Sequence, residues 1–158
     1  AGKVARFTGL SVDFVLRSNL RVLDRRFFKE LLRDRRRTVG RLDSRFLGID
    51  RDAAGETTEH DPSYSNILGP YTAALNDYVR GELRFEIDLP YEILTGKVQP
   101  WSYAEDENRY VNVAEPLRRA MAVNPHLRVF VANGYFDLAT PYFATEHTFN
   151  RLQLEESL

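Results

Sequence analysis

Leu127 to Asn150 reads LRVFVANGYFDLATPYFATEHTFN, and the fold class turns on how that stretch is taken. The centre of Leu127 to Ala132, Val-Phe-Val-Ala, is continuously apolar, as a strand covered on both faces must be. Gly134 allows the backbone to turn sharply after it, and Thr140-Pro141 offers a cap and a first helical residue for a helix over Pro141 to Leu152. Just upstream, Asn112 followed by Glu115 reads as a capping box that opens a helix through Met121, closed by Asn124-Pro125. A helix, a tight link, a buried strand and a second helix make an α/β layer. In such a sheet the functional groups gather at the carboxyl ends of the strands, and Asp137 sits at that end.

Working outward, the 158 residues are 43% hydrophobic and 12% aromatic, enough for one sizeable core or two small ones. A net charge of -1 excludes a chain that is basic or acidic throughout. The charge is unevenly placed. Residues 17–41 carry ten basic side chains against three acidic, and residues 42–100 carry eleven acidic against five basic, so the two blocks can pair. With no cysteine there is neither a disulfide framework nor a thiolate metal site. No apolar run approaches the roughly 18 to 20 residues of a membrane span, so no membrane partner is expected.

Ser11 precedes an apolar-periodic segment in which Leu20, Leu23, Phe27 and Leu31 fall on one helical face. Arg25, Lys29, Arg33 and Arg36 fall on another, which predicts one or two helices over residues 11–36. Residues 38–55 have glycines at 40, 48 and 55 and short apolar alternation, the pattern of a short strand or hairpin. Asp61-Pro62 is a cap followed by a first-turn proline and predicts a helix reaching Leu83, with Tyr71, Leu75, Tyr78 and Val79 inward and a possible break at Gly69-Pro70. Prolines at 90 and 100 with Gly96 mark a change of architecture. The expected organisation is therefore α/β overall but mostly α here, with a helical cap-like region over 1–100 and a partial βα layer over 101–158.

The segment VFVANGYFDLATPYFATEHTF resembles the acid-bearing strand region of the serine carboxypeptidase family, in particular its bacterial members related to cathepsin A. TGLSVDFVLRSNLRV, KELLRDRRRTVGRLDSRFLGID and DPSYSNILGPYTAALNDYV resemble the helical insertion that precedes that strand, in the same order. The resemblance implies an α/β-hydrolase core interrupted by a cap, with Ser, Asp and His in that chain order. Its activity is release of C-terminal residues from peptides through an acyl-enzyme, with a peptide substrate and no cofactor. Only the acid transfers, onto Asp137, whose task would be to hold a histidine in the correct tautomer and stabilise its imidazolium. No serine stands in a G-x-S-x-G context; Ser44 and Ser63 lack the elbow glycines. The expectation is a piece of such a hydrolase that begins after the nucleophile elbow, ends before the base, and is inactive alone.

Other readings compete. An aspartate a few residues past a strand is commonly a turn or cap residue. His60, His126 and His147 have no partners at metal-ligand spacing, so no metal is expected. His126 lies at the wrong end of the strand for Asp137, and His147 lies two turns into a helix. The face of Arg25, Lys29, Arg33 and Arg36 suits a non-catalytic interaction module that docks a partner or nucleic acid; the acidic block downstream offers it intramolecular partners instead, so no nucleic acid is expected. Tyr64, Tyr71, Tyr78, Tyr91, Trp101 and Tyr103 suit either a substrate cleft or helix packing. A lone buried-type strand has two open edges, which predicts self-association.

Overall fold

A computed structural model describes residues 1–154. The chain divides into two compact units, Ala1–Tyr91 together with Phe136–Ala139, and Glu92–Tyr135 together with the chain from Thr140 onward.

The first unit opens with α1 (Gly2–Thr8), which ends at Gly9 in the left-handed region, φ 76°, its N–H returning to the Ala5 carbonyl at 2.9 Å. Glycine takes that conformation without steric cost. Helix α2 (Val12–Arg17) is capped by Ser11, whose Oγ accepts the Phe14 N–H at 3.1 Å. Helix α3 covers Asp24–Glu30. Asn19 and Leu20 take positive φ angles of 50° and 62°, which interrupts the helical path between α2 and α3. Ala5, Leu10 and Val15 form the buried centre, with Val4, Phe14, Val22, Phe27 and Leu31 packed against it. Burial of an aliphatic side chain such as Val15 stabilises by about 1.5–3 kcal/mol.

A 3-10 turn (Arg33–Arg35) ends at Arg36, φ 53°. It leads into strand β1 (Thr38–Val39), which pairs antiparallel with β2 (Leu47–Gly48), Thr38 opposite Gly48. Position 48 must be small, because a Cβ there would lie 2.7 Å from Thr38 Oγ1 and 3.2 Å from Pro62. Helix α4 (Pro62–Asp77) starts on Asp61, whose side chain accepts the Ser63 N–H, and carries Pro70 inside it without ending there. A π-helical turn, Tyr78–Glu82, continues it. Tyr71 and Tyr78 are exposed while Leu75 and Val79 are half-buried, so the expected inward tyrosines face solvent. The buried residues of α4 are Pro62 and Ser63, at its first turn; the helix leaves the core as it proceeds.

In the second unit, 3-10 turns at Gly96–Val98 and Ala104–Asp106 precede α5 (Ala114–Val123) and α6 (Tyr142–Phe149). Asn112 Oδ1 accepts the Ala114 N–H at 2.9 Å, yet Glu115 turns to Arg118, 2.6 Å away, instead of closing a capping box. Helix α6 begins one residue later than Thr140-Pro141 predicts, with Pro141 in the cap position. Met121 and Leu152 are buried.

The expected α/β fold with a partial βα layer is not what forms. The chain is mostly helical, and the sheet among the described residues is the two-stranded β1–β2 pair. Residues 127–132 join no ladder. A strand covered on both faces needs neighbours on both edges, and the described residues supply none. Phe130 is left 92% exposed, flanked by Val129 at 38% and Val131 at 44%. With no sheet along that run, the open strand edges expected there are also absent.

Candidate functional site

Asp137 lies in the short segment Phe136–Ala139 that belongs to the first unit. Its Oδ1 accepts the Ala139 N–H at 2.7 Å. This is the side-chain-to-backbone turn that an aspartate two residues ahead of an amide makes, and it fixes the carboxylate orientation. The segment is seated on the loop after β1 by two backbone hydrogen bonds: Ser44 N–H donates to Phe136 O at 3.0 Å, and Leu138 N–H donates to Arg41 O at 3.0 Å. The Arg45 guanidinium stacks over the Phe136 ring, 4.7 Å from its centroid, a cation–π contact.

That loop is itself fastened from below. Arg45 grips Asp43 through both carboxylate oxygens, with Nε 3.0 Å from Oδ1 and Nη2 2.6 Å from Oδ2. The Arg45 side chain, and then its backbone N–H, hold the Asp43 carboxyl below its ordinary value, while Asp43 raises that of Arg45. Asp61 Oδ1 accepts the Arg41 N–H at 3.1 Å and the Ser63 N–H at 2.9 Å. Ser63 is fully buried; its Oγ accepts the Leu42 N–H at 3.0 Å and donates to Asp61. A side chain at position 40 would strike the Asp43 carbonyl and come within 2.7 Å of Ser63 Cβ. Gly40, Asp61 and Ser63 thus set the shape of the surface on which the Asp137 turn rests. Ser63 is unsuited to attack a substrate, being enclosed and committed to a carboxylate.

The histidines have other surroundings. His60 Nδ1 is 3.8 Å from Asp50 Oδ1, the His126 N–H donates to Asn124 Oδ1 at 3.1 Å, and His147 Nδ1 is 2.8 Å from Arg151 Nη1. Among the described residues no three His, Asp or Glu side chains are grouped to hold a metal, and no helix is long and apolar enough to cross a membrane.

The predicted basic face is divided. Lys29 is buried, its Nζ 2.6 Å from Asp50 Oδ2 and 2.7 Å from the Asp52 carbonyl. Arg33 engages Glu30 and donates to the Ala53 and Gly55 carbonyls. Arg26, outside the predicted set, pairs with Glu56 at 2.7 Å. The acidic block therefore takes up part of the basic one. Arg25 and Arg36 remain exposed.

In the second unit, Val129, Val131, Tyr135, Tyr142, Glu146 and Phe149 line a cavity of about 470 Å³. Tyr142 stacks on Tyr135 at 5.0 Å and on Phe143 at 4.3 Å. Burial, and after it a hydrogen bond with Tyr135, push the Tyr142 phenol above its ordinary value.

The fastening pair Asp61 and Ser63 and the buried Lys29–Asp50 pair were not foreseen as parts of one arrangement. Asp61-Pro62 signalled only the helix start, and nothing in the sequence marks which acidic residue meets Lys29. No family model, no curated protein and no solved structure matches the chain.

Proposed function

We propose that the chain is part of a serine carboxypeptidase-like hydrolase that releases C-terminal residues from peptides through an acyl-enzyme, with Asp137 as the acid of its Ser-His-Asp triad. The reading rests on the resemblance of GYFDLATPYF and the segments before it. The observation that supports it is the seating of the Asp137 turn on the loop 41–44 by two backbone hydrogen bonds. A triad acid must hold its carboxylate still while the histidine charges, and a turn anchored to a separate element does that without relying on the following helix. Nucleophile and base come from other parts of the parent enzyme, so the 158-residue chain alone has no covalent route.

In the whole parent enzyme, Asp137→Asn leaves the turn in place, because an amide oxygen still accepts the Ala139 N–H. The expected result is a fall in kcat by a factor on the order of 10⁴, the cost of holding the wrong histidine tautomer. Unchanged turnover of a blocked dipeptide by that variant, or measurable turnover by the 158-residue chain alone, rejects the assignment. The alternative, a non-catalytic module docking a partner or nucleic acid through Arg25, Lys29, Arg33 and Arg36, has less to draw on, because Lys29 and Arg33 already bind Asp50, Glu30 and backbone carbonyls.

A further inference from the structure

Where the 3-10 turn Arg33–Arg35 meets the hairpin, the first unit has a half-open cavity of about 270 Å³ lined by six basic side chains and two carboxylates. Lys29 is neutralised by Asp50, and Arg33 is held by Glu30 and two carbonyls. Arg51 approaches Glu59 at 3.8 Å and is otherwise solvated. Arg36 and Arg37 line the same cavity, are exposed, and have no acidic partner among the described residues. Arg35, Arg36 and Arg37 are consecutive and exposed, and like charges so placed repel one another until a counter-charge joins them.

A second observation lies on the cavity wall. Thr38 is 3% exposed, and its Oγ1 is the buried side-chain polar atom with no hydrogen-bond partner among the described residues. A buried hydroxyl without a partner is costly, and Gly48 is the residue that leaves room for it. A buried hydroxyl without a partner, on a residue that lines the same cavity as Arg36 and Arg37, completes a donor set that a phosphate oxygen satisfies.

We propose that this cavity binds the phosphate groups of a small phosphorylated ligand, a di- or triphosphate, with Arg36 and Arg37 supplying charge and Thr38 Oγ1 donating a hydrogen bond. The cavity is a recess of about 270 Å³, a volume that suits a small anion better than a polymer lying along a surface. The site does not depend on the hydrolase reading and uses none of the residues around Asp137.

The test is calorimetric titration of the chain with inorganic pyrophosphate at fixed ionic strength. One saturable site is expected, weakened about a hundredfold in the exposed-residue double variant Arg36→Gln/Arg37→Gln, since each lost charge-assisted hydrogen bond costs about tenfold. Thr38→Val, an isosteric change that removes the orphaned hydroxyl, is expected to weaken pyrophosphate binding while leaving the ligand-free melting temperature unchanged or higher. A residue with only a packing role would not separate those two readings. Absence of saturable binding, binding equal in all three proteins, or tighter binding of a short oligothymidylate than of pyrophosphate overturns the proposal.

Discussion

Lys29 and Asp50 form an ion pair with both side chains out of solvent, Nζ to Oδ2 2.6 Å, at 3% and 2% exposure. Asp50 also receives the Glu59 N–H at 3.3 Å, and Lys29 also donates to the Asp52 carbonyl, so α3 is tied to the chain after β2 through one enclosed point. A buried pair adds little over an apolar substitute, but half of one is expensive. Lys29→Met is therefore expected to destabilise the first unit by about 3–5 kcal/mol, measured by urea unfolding. Lys29→Met with Asp50→Asn should recover much of that loss. A loss below about 1 kcal/mol in the single variant would show that solvent reaches Asp50.

Ser63→Ala removes the acceptor of the Leu42 N–H and the hydroxyl that bonds Asp61. Leaving such groups unpaired in a closed site costs about 1–3 kcal/mol. Because the loop it supports also carries the Asp137 turn, amide exchange at Leu42 and at Leu138 should accelerate together. Acceleration at Leu42 alone would separate the loop from the turn.

The Asp43–Arg45 grip has a defined pH dependence. Arg45 lowers the Asp43 carboxyl below its unfolded value, so the contribution is complete above the ordinary carboxylate range and is lost as pH falls through the lowered folded value. The window lies in acid, below about pH 4. Asp43→Asn should flatten the stability profile there and leave it unchanged at neutral pH apart from a constant offset. A profile that still falls as steeply in the variant would assign the acid transition to other carboxylates.

Val129, Phe130 and Val131 are exposed side by side, an apolar run that water disfavours. The chain should therefore associate as its concentration rises, and Phe130→Lys should lower the sedimentation-derived mass toward that of the monomer. A monomer at millimolar concentration in both proteins would remove the run as a cause of association.

Much of the first unit was legible because its signals are local. Ser11 and Asp61 cap the helices they precede and the hairpin, with Gly48, falls within the predicted segment, whereas α1 and the Gly9 that ends it were not read from the sequence. Failures arose where a pattern has meaning only beside partners. Val129–Val131 has the composition of a central strand, but composition cannot provide the strands on either side. Lys29 stood on the periodic basic face, and periodicity says nothing of the aspartate 21 residues later that draws it inward. Asp137 was legible as a candidate acid from its motif, whereas its seat was not, because its partners Arg41 and Ser44 are remote in sequence.

That remoteness governs when the first unit can finish folding. The hydrogen bonds from Leu138 to Arg41 and from Ser44 to Phe136 close a loop of roughly 95 residues, whose ends must meet against chain entropy that grows with loop length. The contacts within residues 1–91 span shorter separations, 21 residues for Lys29 and Asp50 and 20 for Arg41 and Asp61, and close sooner by comparison. During synthesis from the N-terminus, Gly40, Asp61 and Ser63 can be arranged while the Asp137 turn is still unmade, because the residues of that turn are made after them.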